Sequence, residues 1–205
     1  MPHQPRPQPF FIGESTALDF LNSVATPKST EFDWLETGSD LLDWFALAGL
    51  ASEEELRPLR GSKDSLAKAL QDVRAFRDEF REFISEACGS PHAISGHPII
   101  AQINRILRDG KLQMQIENAT GQPPEEQSSY NLVPRYRIDT PHDLLPRIVS
   151  ACAQLICEAD FRYVKNCEGP SCTMYFQDVS KNHKRRWCMM EVCGNRAKAA
   201  AYRKR

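Results

Sequence analysis

The chain has 205 residues, of which 41% are hydrophobic, so it is long enough to bury a substantial core. Its net charge of −1 combines two opposite parts: residues 161–205 carry eleven Lys and Arg against three Asp and Glu, whereas residues 1–160 carry fifteen against twenty-four. We therefore expect the two parts to bind partners of opposite sign, and the lack of any long apolar run excludes a membrane-spanning segment.

Helical patterns dominate the first 160 residues. A short helix is predicted to start near Ser15, and a second to follow Ser39 as its N-cap, with Gly49 placed to end it. The longest apolar stripe predicts a helix from about Ser62 to Ala87. We therefore predict an α+β fold whose N-terminal domain, residues 1–160, is mostly helical.

Two further helices are predicted, one on each side of a segment in which the helical spacing of apolar residues gives way to alternation. The run PIIAQINRILRDG predicts a helix that stops at Gly110, and Thr140 with Asp143 resembles a capping box that starts another helix. Between them, KLQMQIE alternates apolar and polar residues, and NLVPRYRI offers a second extended run. The alternation predicts a small β-hairpin in which Pro134 requires an edge strand or a bulge.

Four cysteines near the C-terminus form two C-x4-C pairs that are separated by fifteen residues. This spacing predicts one structural Zn²⁺ with a closed shell of four thiolates from Cys167, Cys172, Cys188 and Cys193. Disulfides are the alternative. Two observations instead favour reduced thiols in the cytoplasm. The total of seven cysteines is odd, and the first residues, MPHQPRPQPF, do not resemble a signal peptide.

A second pair with the same spacing, Cys152 and Cys157, lies within a predicted helix. Five helical steps turn the two thiols about 140° apart, so they are poor ligands for one ion. We expect Cys152 to be a small buried hydrophobe, and we assign Cys88 no metal role either.

The last block, residues 161–205, is predicted as strand, cysteine pair, strand, basic loop, second cysteine pair and helix. The helix is predicted to begin near Asn195, with Ala197, Ala200 and Ala201 on a small packing face. This order predicts a treble-clef-like zinc finger of a β-hairpin and a helix, which bound Zn²⁺ would help to fold.

Basic residues lie on both sides of the second cysteine pair. Lys and Arg neutralise phosphates, and an Arg on a helix can reach guanine in the major groove of duplex DNA. A solvated basic tail without a partner is the alternative. The predicted nucleic-acid contacts are Lys181, His183, Lys184, Arg185, Arg186, Arg196, Lys198, Arg203 and Arg205.

Two polar residues of the first helix, Asp19 and Asn22, lie three positions apart and so share a helix face. They are candidates to bind a small molecule through hydrogen bonds. The alternative is structural, because buried polar groups are normally satisfied within the fold.

The segment W-C-x-M-x-x-C-G-N-R-x-K, which starts at Trp187, resembles the CGNR zinc finger. The segments ALDFLNS and LLDWFALAGL are similar to the opening of the ABATE domain, which precedes such fingers in bacterial regulators linked to stress-induced transcription. Ser23 stands where that family often has Thr. The resemblance implies a DNA-binding finger joined to an α+β domain that senses a ligand or assembles with a partner.

Our leading interpretation is therefore a zinc-dependent transcription regulator whose finger binds duplex DNA. A small-molecule effector or a protein partner would act at the N-terminal domain. An RNA-binding module and a protein-assembly adaptor that use the same basic surface are the alternatives, and we expect no enzymatic activity. Salt-dependent preference for duplex DNA over single-stranded RNA would separate these interpretations.

Overall fold

A computed structural model of the chain describes residues 6–26, 31–118 and 130–203. Within these ranges the fold is α+β, as predicted, with seven α-helices and three two-stranded antiparallel sheets. The helices are α1 (Thr16–Leu21), α2 (Gly38–Leu47), α3 (Glu53–Leu56), α4 (Lys63–Ala87), α5 (Pro98–Asp109), α6 (Leu144–Glu158) and α7 (Asn195–Arg203). The strands are β1 (Val24–Ala25), β2 (Phe32–Asp33), β3 (Leu112–Asn118), β4 (Tyr130–Tyr136), β5 (Val164–Asn166) and β6 (Tyr175–Gln177).

Local start and stop signals place most helix ends where the sequence predicts them. The capping box at Thr140 forms, and Gly49 follows α2 with a φ of 66°. The prediction of Ser39 as the N-cap of α2 is wrong. Thr37 caps this helix, because its side chain accepts a hydrogen bond from the backbone of Asp40 and the Asp40 carboxylate bonds back to Thr37.

The core of the helical part forms around the apolar stripe of α4. Phe76 and Phe80 of this helix stack with ring centroids 5.7 Å apart, and Phe76 also stacks on Phe20 of α1. Burial of each such ring contributes about 1.5–3 kcal/mol. On α6, Cys152 is fully buried, as predicted, whereas Cys157 is exposed.

The predicted hairpin forms from β3 and β4, with Met114 paired to Pro134. In a two-stranded sheet each strand is an edge, so the missing N–H of Pro134 breaks no inner ladder. Among the described residues, no helix has the length and apolar character needed to span a membrane.

The finger packs directly on the helical part. The backbone N–H of Gln177 in β6 donates to the carbonyl of Gly13 at 2.9 Å, and Gly89 donates to the carbonyl of Phe161 at 2.9 Å. One buried apolar cluster contains residues of α1 and α4 together with the finger cysteines. The division into residues 1–160 and 161–205 stays a prediction, because this core continues across it.

Candidate metal centre and basic surface

The fold brings the two predicted cysteine pairs to one point. Cys167 follows β5 and Cys172 precedes β6, so the antiparallel pairing of these strands places both at one end of the hairpin. Cys188 follows the basic loop. Cys193 lies in a π-helical turn, Met190–Gly194, which leads into α7.

The four sulfurs lie within 4.8 Å of one another and are buried. The Sγ of Cys188 lies 3.7 Å from that of Cys172 and 3.6 Å from that of Cys193. A disulfide requires about 2.05 Å, so all four are reduced thiols. The backbone N–H of Cys188 also donates to the Sγ of Cys167 at 3.2 Å. This convergence of four soft ligands forms a metal-binding site.

Electrostatics explain why a cation suits this cluster. A hydrogen bond shared with Cys172 lowers the pKa of Cys167 and raises the pKa of Cys172 itself. The hydrogen bond with Cys167 is also the main cause that raises the pKa of Cys188, and burial raises that of Cys193. The thiols therefore resist losing all their protons together unless a bound cation compensates the charge.

Two glycines allow the close packing around the sulfurs. A Cβ added to Gly169 would lie 3.1 Å from the Sγ of Cys193, and one added to Gly194 would lie 2.2 Å from the Sδ of Met190. Gly194 is the glycine of the C-G-N-R segment. A side chain at position 194 would therefore require the flexible end of Met190 to move.

The basic loop, residues 180–187, is folded around a buried carboxylate that the sequence analysis missed. Asp178 accepts hydrogen bonds from Lys165 Nζ at 2.7 Å, Ser180 Oγ at 2.6 Å and the backbone N–H of Arg185 at 2.8 Å. Lys165 also donates to the carbonyl of His183 at 2.7 Å. Although burial alone would raise it, these partners keep the pKa of Asp178 well below its usual range. The spacing of Asp178 and Ser180, typical of an Asx turn, was the available signal.

Arg185 points towards the protein interior. Its guanidinium lies 4.2 Å from the ring centroid of Phe176 and donates to the carbonyl of Cys188 at 2.7 Å and that of Ile12 at 3.2 Å. It also forms an ion pair with Glu14 at 3.3 Å. The nucleic-acid contact stays a prediction, but these contacts give Arg185 a structural role between the metal site and the N-terminal segment.

The other cations of the basic loop are exposed to solvent but differ in how many contacts they form within the protein. Lys181 and Lys184 are exposed and form no ion pair with any other described residue. Arg186 is exposed, with its Nε donating to Glu168 at 2.7 Å.

Two residues of the basic loop, His183 and Arg186, pack against aromatic rings. The imidazole of His183 stacks on Tyr163 at 3.6 Å, and Arg186 lies 5.0 Å from the ring centroid of Trp187. Trp187 itself is partly buried against the core, and Phe176 is fully buried.

Helix α7 begins at Asn195, as predicted, and carries Lys198 and Arg203 on its exposed surface. Arg196 is half-buried, and Arg205 lies outside the described residues. The predicted alanine packing face is not buried. Ala197 and Ala200 are half-buried and Ala201 is exposed, and no described residue of α7 is fully buried.

Asp19 and Asn22, the candidate ligand-binding pair, contact the protein backbone. The carboxylate of Asp19 accepts from the N–H groups of Ile12 at 2.8 Å and Gly13 at 2.7 Å, and burial raises its pKa to about 6. The amide of Asn22 is buried and bonds the backbone of Tyr175. These contacts support the structural alternative, and the ligand role stays a prediction.

A buried four-cysteine metal site, a small hairpin and a basic helix, attached to a helical α+β domain, define a class of zinc-finger protein. Residues 163–205 match the family described as "CGNR zinc finger", and residues 14–159 match ABATE, described as "Putative stress-induced transcription regulator". The chain belongs to the ABATE family and carries a CGNR finger. No curated protein matches it.

Proposed function

We propose that this chain is a transcription regulator that binds one Zn²⁺ through its four finger cysteines and duplex DNA through the adjacent cations. One observation carries the proposal. The basic loop is fixed on the buried Asp178 carboxylate directly before Cys188, with Lys181 and Lys184 exposed. A rigid loop loses little conformational entropy when it binds a phosphate backbone.

The sulfur geometry supports zinc as the ion. With Zn–S bonds of about 2.3 Å, the edges of a ZnS₄ tetrahedron are about 3.8 Å. The Sγ of Cys188 lies 3.7 Å and 3.6 Å from two of its neighbours, close to that edge. Bound Zn²⁺ would neutralise thiolate charge and crosslink the two cysteine pairs. Four protein ligands leave no open position, so we assign the ion a structural role.

The charge distribution supports nucleic acid as the partner of the finger. Lys181 and Lys184 lie on the loop, whereas Lys198 and Arg203 lie on α7. Cations on two segments beside one metal site can contact phosphates while a helix enters the major groove. We assign ligand sensing or assembly to the acidic helical part, as the family implies, and place the protein in the cytoplasm, without enzymatic activity.

Equilibrium binding to labelled nucleic acids tests the DNA proposal. We expect the zinc-loaded protein to bind duplex DNA more tightly than single-stranded RNA, with affinity falling as salt rises. The double variant Lys181→Gln/Lys184→Gln should bind duplex at least about tenfold more weakly and reduce the slope of log affinity against log salt by about 1.8, because each lost phosphate contact contributes about 0.9.

The matched control is Lys63→Gln/Lys68→Gln, which removes the same charge from exposed positions of α4. It should leave both affinity and salt slope close to wild type. Tighter binding to RNA would favour the RNA-binding module, and no binding to either polymer would favour the assembly adaptor.

Metal analysis separates the zinc proposal from the DNA proposal. Cys188→Ser should release Zn²⁺ and abolish DNA binding while far-UV circular dichroism still shows the helical part folded. Cys157→Ser, which changes an exposed cysteine outside the cluster, should retain one Zn²⁺ and full affinity. A Cys188→Ser protein that keeps both zinc and DNA affinity would contradict the proposal.

A further inference from the structure

The hairpin of β3 and β4 exposes a continuous apolar face. Residues that pair directly across an antiparallel sheet point to the same side, and here Met114 pairs with Pro134 and Ile116 with Leu132. Ile116 is 72% exposed and Leu132 is 64% exposed. The large apolar side chains that are more than half exposed on this hairpin are Leu112, Met114, Ile116, Tyr130 and Leu132.

The opposite face of the hairpin is polar and half-buried. Glu117 and Arg135 pair there at 2.5 Å, and the charge of the buried Arg147 in α6 helps the Arg135 hydrogen bond to lower the pKa of Glu117. An antiparallel sheet on the surface of a domain normally turns its apolar face inward and its polar face to water. This hairpin has the reverse orientation, so its apolar face lacks a cover within the described residues.

We propose that a second copy of this chain covers this face, with the two hairpins packed face to face around a two-fold axis. The exposed fractions correspond to roughly 500 Å² of apolar surface per copy, since an aromatic ring covers on the order of 150–250 Å² and large aliphatic side chains lie near the lower end of that range. Two copies would bury about 1,000 Å² before rim contacts, which is the threshold for a biological interface, and rim contacts would bring the area towards the roughly 1,200 Å² at which stable interfaces begin.

The amino-acid composition of this face favours a second copy of the same face over other partners. The residues of β3 and β4 that point to this side carry no charge, so an acidic or basic partner would gain no ion pair there. Residues 119–129, which connect the strands, contain no large apolar side chain in their sequence. Stacking two hairpins would also stabilise each one, because an isolated two-stranded sheet is marginal in water.

Sedimentation of the zinc-loaded chain from about 1 to 100 µM, a range where interfaces of this size are measurable, tests the proposal without DNA. Wild type should approach twice the chain mass of 23.3 kDa. The double variant Ile116→Asp/Leu132→Asp should stay monomeric, with self-association weakened at least about a hundredfold, because unpaired charge is costly to bury. Leu47→Asp places one negative charge on a leucine of α2 that is 56% exposed, away from the hairpin, and should dimerise like wild type.

Circular dichroism and zinc content that match wild type would show that the double variant is folded. Three outcomes would overturn the proposal: a wild type that is monomeric at all concentrations, a folded double variant that still dimerises, or a Leu47→Asp control that is monomeric. Because sedimentation needs no nucleic acid, its outcome is independent of whether the finger binds DNA.

Discussion

The side chain of Asn22 pairs with the backbone of Tyr175 as a neighbouring strand would. Its Nδ2 donates to the carbonyl of Tyr175 at 2.8 Å, and the backbone N–H of Tyr175 donates to its Oδ1 at 2.9 Å. Both residues are buried. One amide that follows α1 thereby anchors strand β6 of the finger to the helical part.

We predict that Asn22→Ala lowers the free energy of unfolding by about 2–4 kcal/mol, because it leaves a buried donor and a buried acceptor of Tyr175 unsatisfied. Urea denaturation followed by circular dichroism measures the change. Asn131→Ala, at an exposed asparagine of β4, should cost less than about 0.5 kcal/mol. Equal losses in both variants would contradict the anchoring role.

Arg185→Lys should weaken the finger although it keeps the positive charge. A lysine cannot reproduce the hydrogen bonds to the carbonyls of Cys188 and Ile12 together with stacking on Phe176. We expect a loss of about 1–3 kcal/mol in stability and faster Zn²⁺ release to a chelator. The exposed Arg186→Lys is the control, and release as slow in Arg185→Lys as in this control would argue against the structural role.

Asp178→Asn should reduce DNA affinity even though it removes a negative charge. Charge alone would strengthen binding to phosphates, but the substitution weakens the acceptor for Lys165 and the basic loop loses its support. We expect affinity to fall about three- to tenfold, which corresponds to about 0.6–1.4 kcal/mol.

Glu168→Gln is the matched control, because it removes the same charge from an exposed residue and releases Arg186. Its affinity should stay equal or rise. Tighter binding by both variants would show that loop rigidity does not contribute.

Asp19→Asn should change how stability depends on pH. Burial raises the pKa of Asp19 from 3.8 to about 6 in the folded protein. A raised folded pKa gives stability that is complete below the unfolded pKa and is lost as pH rises through about 6. Asparagine keeps the acceptor for Ile12 and Gly13 without this loss.

The stability difference, variant minus wild type, should therefore grow by about 1 kcal/mol between pH 5 and pH 7. Urea denaturation of both zinc-loaded proteins at each pH measures it, and effects of pH on the shared cysteine site cancel in the difference. A difference that is constant with pH would mean that Asp19 titrates at its ordinary value.

The amino-acid sequence by itself determined the features that depend on short-range spacing. The capping box at Thr140, the stop at Gly49 and the two C-x4-C pairs are each defined within a few residues, so local geometry fixes them. Even here the N-cap of α2 shifted from Ser39 to Thr37, because several residues near a helix start can cap it and only the backbone conformation selects one.

Only the tertiary structure decided which charged and polar groups face inward. Lys184 and Arg185 are adjacent cations. Arg185 packs against Ile12 and Phe176, whereas Lys184 remains in solvent. The hydrogen bonds between Asn22 and Tyr175 depend on contacts between segments far apart in the chain. The outward orientation of the apolar face of the β3–β4 hairpin depends on such contacts too. Side-chain orientation in such places follows from the whole packed core, which no local pattern contains.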